Sequence, residues 1–156
     1  MYSAYIYIVL IVPILVLESR NMSDWNKAVI DEFHANEGKV GGHFEGMTLL
    51  LLHTKGAKSG EPRLKPVAYL ADGERYVIIA SKGGAPTHPS WYHNVVAHPE
   101  VTIEVGTEKF QAQAEVVQEP ERAELYEKVS TQYPGFAEYE KKTTRVIPVI
   151  VLTRLM

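Results

Sequence analysis

The sequence predicts a mainly β protein of the α+β class, built as a small, mostly antiparallel barrel with helices packed outside it. About six apolar stretches of strand length follow one another through short links rich in turn residues. Only three or four stretches have helical character, whereas a doubly wound parallel sheet needs a helix after nearly every strand. A length of 156 residues with 46% apolar residues is typical of one domain with a substantial core.

Amphipathic spacing and terminating residues mark the helices. In residues 24–39, Trp25, Val29 and Phe33 recur every four residues, and several glycines follow. Residues 89–97 and 119–133 each have a proline near the start and another just after the end, which is the usual placement around a helix. The sequence therefore predicts three helices outside the aromatic segment considered below.

Short apolar runs bounded by turn residues predict the strands. They lie at residues 47–53, 67–70, 76–80, 101–105, 109–117 and 146–152. Asp72 and Gly73 form a typical hairpin turn between the second and third runs. In residues 109–117 apolar and polar side chains alternate, which predicts one buried face. Pro148 in the last run indicates an edge strand or a bulge.

The first 17 residues carry no charge and form a separate apolar segment. They are too few for a membrane span, they contain Pro13, and no lysine or arginine precedes Arg20 as a secretory signal would require. Ser23 is a good helix cap just after Met22, which suggests a natural start there. We expect residues 1–21 to be an extension, either a misassigned start or a membrane-surface anchor, and residues 22–156 to be the domain.

Several function classes are excluded by composition. The absence of cysteine rules out disulfides, cysteine-ligated metal sites and a cysteine nucleophile. A formal net charge of -3 gives no global basic field for nucleic acid. His88, His93 and His98 recur every five residues and cannot share one helix face, so no metal site is expected. A serine hydrolase would need a G-x-S-x-G turn, which the chain lacks.

Positive charge is concentrated in two loops that each follow a predicted strand. Residues 53–65, the basic loop, carry Lys55, Lys58, Arg63 and Lys65 against a single acid and also contain two glycines. Residues 81–85, the second loop, read Ser-Lys-Gly-Gly-Ala. Glycines let backbone N–H groups approach an anion, and lysine and arginine supply charge-assisted bonds. The loops predict a partner with phosphate or carboxylate groups, although neither matches a known phosphate-binding motif.

Aromatic side chains form a second cluster of candidate residues. Trp91 and Tyr92 fall on the short helix after the second loop, and Tyr133, Phe136 and Tyr139 recur every three residues around Pro134 and Gly135. Two interpretations stay open: a buried face, which is the usual fate of such a stripe, or a mobile lid over a flat ligand.

The sequence resembles the deazaflavin-dependent nitroreductase family over residues 25–152. The resemblance is carried by three segments: TKGAKSGEPR in the basic loop, ASKGGA in the second loop and HPSWYHN just after it. YPGFAEYEKKTTRVIPVIVL near the end adds to it. The resemblance implies a split β-barrel like that of FMN-binding proteins, with reduced coenzyme F420 as hydride donor. The extended acidic tail of F420 suits the basic loop better than the single phosphate of FMN, which ranks second.

Carried over by position, the resemblance implies roles for most of the candidate residues. Those that would bind the cofactor are Lys55, Lys58, Ser59, Arg63, Lys65, Pro66, Val67, Ser81, Lys82, Gly83, Gly84, Ala85, Trp91 and Asn94. Those on the substrate side would be Tyr69, Tyr133, Phe136 and Tyr139, and those that act on the acceptor would be Ser81, Tyr133 and Tyr139.

The resemblance implies a reductase of small acceptors, namely quinones, enones or nitroaromatic compounds. Members that reduce nitroimidazoles have a tyrosine where this chain has Phe136, which cannot donate a proton, so quinone or enone reduction is favoured. Two alternatives stay open: a carrier of F420 or flavin without turnover, and an FMN-dependent reductase on the same barrel. The implied location is cytoplasmic, with peripheral membrane contact through residues 1–17 as an addition. The oligomeric state is open.

Overall fold

The computed structural model describes the backbone of residues 14–156 and the side chains of residues 25–156 except His43. The first 13 residues of the predicted extension therefore lie outside the described part. In that part, no helix is both long enough and apolar enough to cross a membrane.

Seven strands form one entirely antiparallel sheet, one more than the approximate count from the sequence. They are β1 (Leu49–Lys55), β2 (Pro62–Ala68), β3 (Leu70–Asp72), β4 (Arg75–Ile79), β5 (Glu100–Val105), β6 (Glu108–Val116) and β7 (Val149–Arg154). Their order across the sheet is β2-β1-β5-β6-β7-β4-β3. The additional strand arises because the predicted run at residues 67–70 is divided at Tyr69 between the ends of β2 and β3.

The sheet has to curl into a barrel because its two edges are joined by one residue. β2 and β3 lie at opposite ends of the strand order, yet only Tyr69 separates them along the chain. Continuing the register of β3 and β4 would place Ala68 opposite Ile79 and Pro66 opposite Ser81. β2 has no strand pairing with β4, however, so the barrel is split along this line. This is the split-barrel fold that the resemblance implied.

Alternating side chains fill the barrel. Leu50 and Leu52 of β1, Ile78 of β4 and Ile103 of β5 are fully buried inside it. In β6, Phe110, Ala112 and Ala114 are buried while the residues between them are exposed, as the sequence predicted. Opposite faces of the same strands carry a second set of apolar residues, which needs cover from outside.

Four helices surround the barrel: α1 (Ile14–Ala35), α2 (Ser90–Ala97), α3 (Glu121–Gln132) and α4 (Gly135–Lys141). Val29 and Phe33 of α1 cover the outer side chains of β1. The buried residues of α3 and α4 cover those of β4 and β7. Trp91 and Val95 of α2 join the interior cluster instead. α1 is longer than predicted and continues through residue 22, where the sequence suggested that the domain begins.

A carboxylate between two histidines fastens α1 to the barrel. Glu104 of β5 accepts hydrogen bonds from His34 Nε2 of α1 at 2.8 Å and from His53 Nε2 of β1 at 2.6 Å. Burial by itself would raise the pKa of Glu104, but the two hydrogen bonds outweigh it and leave the pKa below its usual value. The carboxylate is thus ionised at neutral pH and holds the end of a helix whose other turns carry Trp25 and Asn26.

We expect Glu104→Gln to lower the unfolding free energy at neutral pH by about 1–3 kcal/mol, because hydrogen bonds to a charged group contribute on that order. Since the folded-state pKa of Glu104 is depressed, its contribution is present above the unfolded-state pKa and is lost as the pH falls through the folded-state value. Urea unfolding should therefore show the wild type and the variant converging toward acid pH.

Glu108→Gln is the matched control, since Glu108 pairs with Arg154 in an exposed position. It should cost less than about 1 kcal/mol at any pH. A gap between wild type and Glu104→Gln that stays constant across the acid range would contradict the prediction.

Candidate functional site

The split in the barrel opens into a cavity of about 660 Å³. Such a volume is in the range of small-molecule and cofactor sites. One wall is the edge strand β2 at residues 65–68. A second wall is formed by the end of β4 and the second loop, namely by Ile79, Ser81, Lys82 and Gly83. Pro89, Ser90 and Trp91 at the start of α2 form a third wall, and the remaining lining residues are Trp25, Asn26, Phe44, Met47, Phe136 and Tyr139.

Ser81 is the polar group that best fits a ligand in this cavity. Its side chain lines the cavity and the residue is only 7% exposed. Its hydroxyl has no hydrogen-bond partner among the residues that the structure describes, and it is not a fully buried atom. Ser81 is therefore placed to bond a molecule in the cavity.

Part of the cavity lining is an aromatic wall. Phe136 and Tyr139 of α4 meet edge to face with their ring centroids 5.4 Å apart. Trp25 of α1 and Phe44 lie 5.2 Å apart between ring centroids. Flat apolar walls of this kind suit a planar conjugated ligand. Trp25, Phe44 and Met47 were not among the predicted site residues, because their positions beside the cavity depend on how α1 and the following loop dock on the barrel.

The basic loop forms the hairpin between β1 and β2, with its turn at residues 56–61. The turn is closed by hydrogen bonds from Gly56 N to Glu61 O and from Gly60 N to Gly56 O, and Ser59 Oγ accepts from Glu61 N. Of the cations, Lys55, Lys58 and Arg63 are exposed and Lys65 reaches the cavity. None of the four forms an ion pair with a residue in the described part of the chain. The loop is thus a cluster of cations available to an anionic ligand.

Asn94 anchors the basic loop to α2. Its Oδ1 accepts a hydrogen bond from Ala57 N at 2.9 Å, and its Nδ2 donates to Thr54 Oγ1 at 3.1 Å. Asn94 is 7% exposed and does not line the cavity. Asn94 therefore anchors the basic loop, and the predicted part that it plays in cofactor binding stays a prediction.

The second loop forms a tight turn at Lys82–Gly84. Lys82, Gly83 and Gly84 all have positive φ angles, of 48°, 63° and 84°. At Gly84 a side chain would have no room, since an added Cβ would stand 2.9 Å from Tyr139 O and from Lys142 Cβ. Lys82 Nζ donates to Thr87 Oγ1 at 3.3 Å. The turn is thereby packed against α4, with Ser81, Lys82 and Gly83 facing the cavity.

Of the four predicted substrate-side residues, Tyr133 and Tyr69 do not line the cavity, whereas Phe136 and Tyr139 do. The Tyr133 hydroxyl accepts a hydrogen bond from Thr48 N at 3.1 Å and lies 3.3 Å from Thr48 Oγ1 and from Tyr69 O. Tyr69 packs on Tyr76 beside the barrel core, and burial, followed by the proximity of Tyr76 and Tyr133, raises the pKa of its hydroxyl. Both side chains join β2, β3 and α3 structurally, and sequence spacing alone could not separate them from Phe136 and Tyr139.

Arg145, just before β7, is a residue that the sequence reasoning missed. Its guanidinium bonds the backbone of the second loop and His88. Burial, followed by the charge of Arg145, lowers the pKa of His88, so its Nδ1 accepts from the guanidinium as part of a neutral ring. The partners of Arg145 lie 57 to 65 residues earlier in the chain, and no local pattern predicts such contacts.

In the described part of the chain, no group of three histidine, aspartate or glutamate side chains is placed to hold a metal ion.

The fold and the site define the class of the protein. It is a split-barrel protein whose cavity combines an aromatic wall with two cationic loops. A planar cofactor with an acidic tail fits these residues.

The sequence matches the F420H(2)-dependent quinone reductase family over residues 25–154. An F420H(2)-dependent quinone reductase of Mycobacterium tuberculosis strain H37Rv is 42% identical over 126 residues, which are 78% of this chain and 85% of the relative. Among solved structures, an F420-H2 dependent reductase is 39% identical with a TM-score of 0.62, covering 67% of this chain and 92% of that chain. Another, described as a domain-swapped dimer, is 33% identical with a TM-score of 0.64, covering 83% and 98%.

The chain therefore belongs to the F420H(2)-dependent quinone reductase family. It is an enzyme, an oxidoreductase of small-molecule acceptors that uses reduced coenzyme F420 as its cofactor. The family expectation drawn from the two loops is confirmed, and so is the ranking of F420 above FMN.

We expect Asn94→Leu to weaken F420 binding by about tenfold, because one lost hydrogen bond that orders a charged loop is worth on the order of 1–1.5 kcal/mol. Fluorescence titration of the coenzyme measures the effect. Thr54→Val is the matched control: it removes the other partner of Asn94 and leaves the bond to Ala57 intact. Equal losses of affinity in the two variants would show that general destabilisation, and not the anchored loop, is responsible.

Proposed function

We propose that this enzyme reduces quinones, with the acceptor lying between Ser81 and the aromatic wall of the cavity. The observation that carries the proposal is the Ser81 hydroxyl, which has no hydrogen-bond partner among the described residues and lines the same cavity as Phe136 and Tyr139. A quinone has the complementary chemistry, since it is a flat ring with carbonyl oxygens at its edge. The names of the quinone-reducing relatives support this acceptor class.

The basic loop would hold the acidic tail of the cofactor. Lys58 and Arg63 are exposed and have no ion pair among the described residues, so an anion gains their charge without breaking an existing contact. Lys55, Lys65 and the Gly60 turn extend the same surface. Lys82 would add a cation from the second loop on the other side of the split.

Edge strand β2 and the second loop would hold the cofactor ring between them. Pro66 and Val67 form one wall of the cavity and Gly83 the other, with Trp91 at its base. These residues exclude water from the ring and bring it into line with the acceptor, which is how a protein supports chemistry that a cofactor carries out. Asn94 would anchor the basic loop to α2. The turns of the two loops would be shaped by Ser59, Gly84 and Ala85.

When bound, reduced coenzyme F420 supplies a hydride. The acceptor then gains negative charge on a carbonyl oxygen, and the Ser81 hydroxyl donates a hydrogen bond to that oxygen as the charge develops. Solvent supplies the proton that completes the hydroquinone. Tyr139, whose hydroxyl has no hydrogen-bond partner in the described part of the chain, is the second candidate donor, whereas the Tyr133 hydroxyl is already engaged.

The tail site predicts that Lys58→Ala/Arg63→Ala loses about 3 kcal/mol of F420 affinity, or roughly a hundredfold in Kd, if each charge-assisted contact contributes about 1.5 kcal/mol. The loss should shrink in high salt because both groups are exposed. Lys128→Ala/Arg154→Ala removes the same charge from ion-paired sites on other elements and should leave Kd unchanged. A wild-type Kd in the first variant would refute the tail site.

The acceptor site predicts that Ser81→Ala lowers kcat with a menaquinone analogue by about ten- to a hundredfold, as expected for the loss of one donor to a developing oxyanion. Tyr133→Phe should change kcat by less than about threefold, because its hydroxyl bonds the backbone instead of a ligand. Steady-state assays with quinone, enone and nitroaromatic acceptors would rank the substrate classes. Tight F420 binding without oxidation by any acceptor would contradict the proposal and indicate a carrier.

A further inference from the structure

Arg145 gathers three backbone carbonyls and an imidazole around one guanidinium. Its Nη2 donates to Ser81 O at 2.7 Å, its Nε to Ala85 O at 2.9 Å, and its Nη1 to Ala80 O at 3.2 Å and to His88 Nδ1 at 2.8 Å. None of these acceptors is a carboxylate. Burial lowers the pKa of Arg145, with only a partial offset from Tyr126. No carboxylate of the described residues pairs with Arg145, and a half-buried cation costs stability, so packing alone would not favour this contact.

The group that Arg145 holds is the turn of the second loop. Its three carbonyls come from both ends of the turn, at residues 80–81 and at residue 85. Between them, three successive residues have left-handed backbone conformations, and the first of these, Lys82, is not a glycine. A non-glycine residue in that region is strained, so the conformation persists only when the surroundings impose it.

Arg145 bonds this turn without lining the cavity. Ser81, Lys82 and Gly83 line the cavity, whereas Arg145 does not. The short bond to Ser81 O fixes the peptide plane that follows Ser81, and this restricts where the Ser81 hydroxyl can point. We propose that Arg145 is a positioning residue, which holds the second loop in the conformation that directs Ser81 and Lys82 into the cavity.

Lysine cannot replace arginine in this position. The four contacts use three nitrogen atoms of one planar group, while the lysine ammonium is a single point that reaches one or two carbonyls. Arg145→Lys therefore keeps the charge and removes the geometry, which makes it the informative substitution.

The control is Arg122→Lys. Arg122 is also partly buried and also donates to a backbone carbonyl, Ile147 O at 3.0 Å, with Glu119 as its other partner. It makes no hydrogen bond to the second loop and does not line the cavity. The two variants should lose similar thermal stability. A difference between their amide exchange rates in the second loop would therefore show that Arg145 positions this loop.

The first readout is amide hydrogen exchange in the cofactor-free protein. Arg145→Lys should raise the exchange rates of Gly84 N and Ala85 N by about tenfold while those of β4 and β7 stay unchanged, and Arg122→Lys should leave Gly84 N and Ala85 N as in the wild type. F420 titration should show about tenfold weaker binding for Arg145→Lys alone. Unchanged exchange at Gly84 N and Ala85 N in Arg145→Lys would overturn the proposal.

The second readout is a double-mutant cycle with Ser81→Ala, scored by kcat with a menaquinone analogue. If Arg145 acts through Ser81, Arg145→Lys should lower kcat by about tenfold in the wild type and by less than about threefold in the Ser81→Ala background. Effects that multiply would show that Arg145 acts independently of Ser81 and would contradict its role in positioning that side chain.

The cycle rests on the proposed function, whereas the exchange measurement does not, so the two can fail separately. A Ser81→Ala variant with wild-type kcat would refute the role of Ser81. The amide exchange measurement would then be the test of whether Arg145 holds the second loop. Should Arg145→Lys not fold, wild-type exchange decides: Gly84 N and Ala85 N should be protected relative to Gly46 and Gly83, and equal rates would overturn the proposal.

Discussion

The connection of the two sheet edges through Tyr69 is the constraint on which the rest of the structure depends. Because β2 and β3 are one residue apart along the chain and six strands apart across the sheet, the sheet must close. It closes fully only where β3 pairs with β4, and β2 then diverges from β4. The cavity lies in the gap that this divergence leaves, so the binding site is a consequence of how the barrel is closed.

The loops at the split combine rigidity with exposed charge. The basic loop is closed by backbone hydrogen bonds and anchored by Asn94, and the second loop is held by Arg145 and packed against α4. Lysine and arginine side chains extend from both loops without ion-pair partners among the described residues. A preorganised backbone that carries unpaired cations loses little conformational entropy when it binds an anionic ligand, which is how rigid loops gain affinity.

Much of the fold was predictable because it depends on local patterns. The alternation in β6, the Asp72–Gly73 turn and the prolines around α2 and α3 each determine one element without reference to the rest. The division at Tyr69 and the length of α1 were not predictable, since one depends on the barrel closure and the other runs through residues that look like a helix start. For α4, the three-residue aromatic spacing fitted both a lid and a buried face. In the structure Phe136 is 7% exposed and lines the cavity as well.

The sequence by itself determined the class of the protein, through glycine-rich cationic loops whose residue types already define an anion-binding chemistry. Only the tertiary structure decided which side chains reach the cavity. Tyr133 and Phe136 are three residues apart along the chain, yet the first bonds Thr48 and the second lines the site. Arg145 and Ser81 are 64 residues apart and become partners only when β7 and β4 pair. Such contacts leave no local signature, because they depend on the register between strands and not on the spacing along any one of them.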